Sequence, residues 1–94
     1  MKLITLELPD WANWVTQDFD SEIFAFDLEP KECGQYFNAE NNEDRMQFVL
    51  HTDRLIPDWR DSKINLNAHG AYIDANGILR RCELIPDMLK PQAD

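Results

Sequence analysis

The extended apolar runs of this 94-residue chain end on a repeated punctuation: Leu8-Pro9-Asp10-Trp11, Ile56-Pro57-Asp58-Trp59 and Ile85-Pro86-Asp87-Met88. Each offers an aliphatic anchor, a proline that fixes φ and removes a backbone donor, a carboxylate able to cap a turn, and a large apolar side chain. Such a unit closes one strand and opens a turn or a short helix. Turn chemistry alone can generate the repeat, so it does not require a duplicated domain.

Between these marks the chain reads as short strands. Leu3, Thr5 and Glu7 alternate with Ile4 and Leu6 up to Pro9, the period of a half-buried strand. Trp11, Trp14, Val15 and Phe19 have helical spacing behind Asp10, yet Val15 and Thr16 lead toward another extended run. A short turn or helix over 9–13 followed by a strand over 14–17 satisfies both patterns. Asp18-Phe19-Asp20-Ser21 is a polar turn, and Ile23–Phe26 runs extended toward Pro30, so 14–28 is expected to be a β-hairpin. Gln35–Asp44 reads as a surface loop, 46–52 as a strand, Asp53–Asp61 as a second loop and 63–67 as a short strand. Residues 71–74 and 78–84 form a second hairpin, with Asn76-Gly77 supplying positive φ. Aligning Asp18–Pro30 on Asp74–Pro86 matches Asp18 with Asp74, Leu28 with Leu84, and Asp20-Ser21 with Asn76-Gly77.

The expected fold is therefore mainly β (β-rich α+β). It is one domain over residues 1–94, with a small antiparallel sheet of five or six short strands and one or two short helical turns. Alternation nominates Ile4, Leu6, Trp14, Phe24, Phe26, Phe48, Leu50, Leu66, Tyr72, Leu79 and Leu84 as core. A chain of this size buries about 60 to 65% of the surface its unfolded form exposes, too little for a deep active-site cleft. Its 44% hydrophobic content and dispersed aromatics argue against disorder.

Charge narrows the partners. Residues 1–44 carry eleven carboxylates against Lys2 and Lys31, so the whole net charge of −9 falls there, while the seven acids and seven bases of 45–94 cancel. Nucleic acid and anionic membranes are thereby excluded as direct partners. The start of the chain has no basic segment followed by an apolar core, and no run reaches the ~20 apolar residues of a membrane span. With Cys33 and Cys82 read as reduced thiols, the expected compartment is cytoplasmic.

Few constellations carry chemistry. Asp18-x-Asp20-x-Glu22 with Glu29 at the twelfth place copies the acidic positions of a calcium loop, but Ile23 replaces the required glycine and apolar residues follow. His51 and His69 lie in no metal-ligand spacing. Arg80-Arg81 points to opposite faces of a strand. No catalytic residue, cofactor or metal ligand is assigned. What remains is an acidic, aromatic stretch, in which Asp10, Trp11, Trp14, Asp18, Asp20, Glu22, Asp27 and Glu29 are the candidate protein-binding residues. Three readings compete: a Trp-anchored contact patch inside a polar rim, a mimic of the phosphate rows of DNA, or a core with a solubilising exterior.

The segment Pro9-Asp10-Trp11-x-x-Trp14-Val15-x-Gln17-Asp18-x-Asp20-Ser21-x-x-Phe24-x-Phe26-x-x-x-Pro30 resembles a pattern in small, uncharacterised proteins of bacteriophages and prophages. There, a Trp-containing strand runs through Gln-Asp-x-Asp-Gly into an aromatic strand and an acidic segment ending in proline. The likeness covers about a fifth of the chain; Ser21 stands where the pattern has Gly and Ile23 where it has an aromatic. It implies an accessory role in a bacterial cell. The expected function is a non-enzymatic interaction protein binding another protein through its acidic half, a basic nucleic-acid-binding protein being one candidate partner. Its sharpest version is a DNA-mimic inhibitor of the anti-restriction or anti-CRISPR type. The reading from another class is a small enzyme or ligand-binding module using His51, Asp53 or Cys82 across a dimer interface; an exposed sheet edge makes a homodimer plausible.

Overall fold

The computed structural model describes residues 6–83, with Glu83 described by its backbone alone. Eight short strands and one 3-10 turn follow in chain order: β1 (Trp14–Gln17), β2 (Glu22–Phe26), β3 (Lys31–Cys33), β4 (Tyr36–Asn38), β5 (Met46–His51), the 3-10 turn (Trp59–Ser62), β6 (Ile64–Asn65), β7 (His69–Ile73) and β8 (Leu79–Glu83). The protein is mainly β, and every pairing is antiparallel. A four-stranded sheet runs β5-β2-β1-β6, and β3-β4 and β7-β8 form separate two-stranded ribbons.

The ribbons and the 3-10 turn cover the two faces of this sheet. Cross-strand pairs Val15↔Ala25 and Gln17↔Ile23 point one way, and Trp14↔Phe26 and Thr16↔Phe24 the other. On the first face Val15, Ile23 and Ile64 pack with Ile73 and Leu79 of β7 and β8. On the second, Phe26 packs with Phe37 of β4, Ile56 and Trp59. The rings of Phe37 and Trp59 meet edge to face at 5.2 Å. Full burial of one such side chain is worth about 1.5–3 kcal/mol, so both layers matter to a domain of this size.

The central position of β1 corrects the core read from alternation. Val15, Thr16 and Gln17 are all buried, because a strand sandwiched on both faces has no solvent side. Phe26 and Leu79 are core as expected, whereas Leu6, Trp14, Phe24, Leu50, Leu66 and Tyr72 are half-buried and Phe48 is 50% exposed. Ile4 and Leu84 lie outside the described residues. Val15, Ile23, Phe37, Ile56, Trp59 and Ile73 supply most of the interior instead.

Two segment readings also change. Gln35–Asp44 is not simply a loop: Tyr36–Asn38 pairs with β3 around Gly34, whose φ is +65°, and buries Phe37. Asp53–Asp61 is a loop as expected, passing into the 3-10 turn and anchored by two buried side chains, Ile56 and Trp59. Of the expected first strand, Leu6–Leu8 is not in a ladder and 3–5 lies outside the described residues. The punctuation acts as turns: Ala12 N–H donates to the Pro9 carbonyl at 3.0 Å, and Trp59 N–H to the Ile56 carbonyl at 3.2 Å. Asp58 precedes the 3-10 turn without a side-chain capping bond, so the proline and the buried Trp59 set that turn more than the carboxylate does. The third Pro-Asp unit lies outside the described residues. No helix among them is long and apolar enough to cross a membrane.

Candidate protein-interaction face

The β1–β2 tip is built around two neighbouring polar residues that the interior has absorbed. Gln17 Nε2 donates to the Gly77 carbonyl at 2.9 Å and to Thr52 Oγ1 at 3.1 Å, and its Oε1 accepts from Leu79 N–H at 2.8 Å. Its backbone N–H and carbonyl both bond the Ser62 hydroxyl at 2.9 Å. One side chain thus ties the sheet to the β7–β8 ribbon and the end of β5, while its backbone is tied to the 3-10 turn. Asp18 Oδ1 accepts from the buried Phe37 N–H at 2.8 Å, fastening the tip to β4. Burial pushes the Asp18 carboxyl up to about 6; the Phe37 hydrogen bond opposes this, and the charges of Asp20 and Glu22 add to it.

The eight candidate residues fall into two groups at opposite ends of the hairpin. At the tip, single carboxylate oxygens of Asp18, Asp20 and Glu22 lie within 4.8 Å of one another, and these three are the described residues that could gather around a hard cation. At the base, Asp27 Oδ1 accepts from Leu28 N–H at 2.8 Å and Arg45 N–H at 2.9 Å, and Glu29 meets Lys63 Nζ at 2.7 Å. Asp10 is exposed, Trp11 lies under the Arg45 guanidinium at 5.7 Å, and half-buried Trp14 packs against the second core layer with Lys63 at 5.8 Å. Of these acids, Asp18 is buried and Asp27 half-buried on backbone N–H groups, whereas Glu29 makes an exposed ion pair, and the set divides between the two ends of the hairpin.

Residues outside that set form a more coherent surface. On the second face of the sheet Phe24 pairs with Phe48 and Phe26 with Met46. Phe48 is half exposed, with its ring edge-to-face with Phe24 at 5.7 Å, and Met46 is 36% exposed. Glu22 shares this face, two residues before Phe24. The register shifts by one between Ile23 and Phe24, making Val49 an extra residue in β5. Beside the strand, Glu7, Gln47, Phe48, Val49 and Leu50 line an open cleft of about 360 Å³. Alternation marked Phe48 as apolar-facing but could not say that nothing among the described residues covers the outer end of that face.

The residues of the enzyme reading are dispersed. His51 lines a cleft of about 490 Å³ with Thr52, Arg54, Asp74 and Asn76, and its Nε2 donates to the Asp20 carbonyl at 3.1 Å. Asp53 and Cys82 are not among the residues lining that cleft, and Cys82 sits on β8 opposite Gly70. No family model, curated protein or solved structure matches the chain.

Proposed function

We propose that this chain is a non-enzymatic protein-binding domain, an accessory protein of the phage and prophage kind that its hairpin resembles, and that it binds another protein through its acidic half. The observation that carries the reading is the half-exposed Phe48 of β5, edge to face with Phe24 of the acidic half and flanked by the exposed Met46 on one sheet face. A domain this small normally spends its aromatics on the core, and an aromatic centre with a polar surround is the usual anatomy of a contact hot spot. Phosphate mimicry has less support, because Asp18 and Asp27 are committed to backbone N–H groups of the fold.

The test uses tagged protein as bait in a bacterial lysate, alongside Phe48→Ser and the triple variant Asp18→Asn/Asp20→Asn/Glu22→Gln. Proteins retained by the parent and lost with Phe48→Ser support the apolar-centred face. Loss confined to the triple variant would shift the reading to mimicry, and retention unchanged in both would sink binding through the acidic half.

A further inference from the structure

The β3–β4 ribbon packs on the second core layer while sharing no ladder with the four-stranded sheet. Between 28 and 43 the buried side chains are Pro30 and Phe37, and 40–43, through which the chain leaves, are exposed. The ribbon therefore rests mainly on one ring, Phe37 against Phe26, Ile56 and Trp59, with half-buried Ala39 beside it. Among the described residues its polar ties to the rest of the fold are few. Phe37 N–H donates to Asp18 Oδ1 at 2.8 Å, Phe19 N–H donates to the Gln35 carbonyl at 3.2 Å, and Arg60 meets Glu32 at 3.7 Å in an exposed pair. A segment with so few buried apolar contacts belongs to the low-stability end of a fold and can open while the rest stays closed.

Asp18 makes the attachment conditional. Its residue is 3% exposed with the ribbon in place. The titratable groups that act on it are Asp20 in its own turn and Glu22 on β2, and across the seam it acts on the Tyr36 phenol of β4. The bases on the neighbouring elements are engaged elsewhere: His51 of β5 at the Asp20 carbonyl, Arg60 of the 3-10 turn at Glu32, and Lys63 before β6 at Glu29. Burial is the larger obstacle to ionisation of Asp18, and the two like charges add to it. Lifting the ribbon takes Phe37 away and returns the carboxylate to water.

We propose that the β3–β4 ribbon is a flap latched by Asp18, which opens as a unit and uncovers Phe26, Ile56 and Trp59 as an extension of the Phe24–Phe48 face. Phe24 packs against that same layer, so the covered and the open aromatic surfaces are continuous. The closed flap withholds part of the apolar face, and ionisation of Asp18 favours its release. The opening itself does not depend on what the face binds.

The experiment follows amide hydrogen exchange of the full chain by NMR from pH 4 to 7, with and without low urea. Phe37 and Phe19 donate the two hydrogen bonds that cross the seam, and Leu79, whose N–H donates to Gln17 Oε1 in the other core layer, is the reference. Phe37 and Phe19 are expected to share one protection factor, about tenfold or more below that of Leu79, and to be insensitive to low urea because a flap exposes little surface. Closed Asp18 keeps its proton up to about pH 6 and a solvated one releases it near 3.8, so protection at the seam should fall about 50-fold from pH 4 to 7. Asp18→Asn should abolish that fall. Equal protection and equal urea dependence at all three amides would overturn the flap, since the ribbon would then leave only with the whole fold. Different protection at Phe37 and Phe19 would show that it does not open as a unit. A pH dependence that survives in Asp18→Asn, or seam protection independent of pH in the parent, would overturn the latch; the parent readout decides even where the variant fails to fold.

Discussion

The turns that close the β1–β2 and β7–β8 hairpins have the same backbone and opposite surroundings. In the first, Ser21 N–H donates to the Asp18 carbonyl at 2.9 Å and Asp18 N–H to the Glu22 carbonyl at 2.9 Å; in the second, Gly77 N–H donates to the Asp74 carbonyl at 3.0 Å and Asp74 N–H to the Ile78 carbonyl at 3.0 Å. Each ends on a left-handed residue, Ser21 at φ 75° and Gly77 at φ 79°, the three-residue hairpin loop with a bulge. Positive φ is needed at Gly77 and not at Asn76, which corrects the tight two-residue turn expected from Asn-Gly.

The difference lies in the opening aspartate. Asp74 caps its own turn, accepting from Asn76 N–H at 2.8 Å and Ile78 N–H at 3.1 Å, and pairs with Arg80 at 2.9 Å. Partial burial pushes its carboxyl up, but the Arg80 and backbone hydrogen bonds together hold it below the usual value. Asp18 is drawn away to Phe37, and Asp20 takes over the local bond to Glu22 N–H at 3.3 Å. The same residue type at the same backbone position is therefore shifted in opposite directions, which shows that turn geometry does not set the electrostatics of a turn. What packs on it does.

Several substitutions separate the two turns. The largest effect belongs to Gln17→Leu, where the first hairpin grips the second. It leaves Leu79 N–H and the Gly77 carbonyl unpaired in the interior and should cost about 3 kcal/mol in urea unfolding. A cost below 1 kcal/mol would mean the ribbon is held by its apolar contacts alone. Exchanging the left-handed residues should then move stability in opposite directions. Gly77→Ser places a Cβ 3.0 Å from the Thr52 Cβ in a strained conformation and should destabilise by about 2 kcal/mol. Ser21→Gly relieves the same strain and removes a buried hydroxyl that has no partner, for a gain of about 1 kcal/mol. Equal signs for the pair would refute the equivalence of the turns.

A pH titration of stability comes next. Folded Asp18 keeps its proton up to about pH 6, whereas the unfolded chain releases it near 3.8, so between those values the native state binds more protons and stability falls as pH rises. Asp74 behaves oppositely: its contribution is present above the unfolded value and is lost as pH falls below it. Asp18→Asn keeps an acceptor for Phe37 N–H and should flatten the decline between pH 4 and 6; Asp74→Asn should remove the loss at lower pH. A decline that persists in Asp18→Asn would place the titrating group elsewhere. The smallest change is Lys63→Met, which breaks an exposed pair with Glu29 and should alter thermal stability by under about 0.5 kcal/mol.

Much of the fold was legible because turns and strands are local. Prolines, the Asp-x-x-Ser and Asp-x-x-Gly turns and the β-branched runs placed β1, β2, β5, β7 and β8 to within a few residues, since φ restriction and side-chain period act over two to four positions. The β3–β4 ribbon was hidden by its polar sequence, because Phe37 alone marks it as buried. The candidate site was legible only as charge and aromatics. That Trp14 packs against the core while Phe48 faces out follows from β1 lying centrally and β5 at the outside of the sheet.

The amino-acid sequence by itself determined the turns, the strand-length runs between them and the −9 charge confined to the first half. Only the tertiary structure decided that Gln17 and Asp18 are interior fasteners, that Asp18 and Asp74 shift in opposite directions, and that Phe48 rather than Trp14 offers an open aromatic surface. Burial and electrostatics depend on what long-range packing brings to each face, and two residues in identical local turns can receive different neighbours.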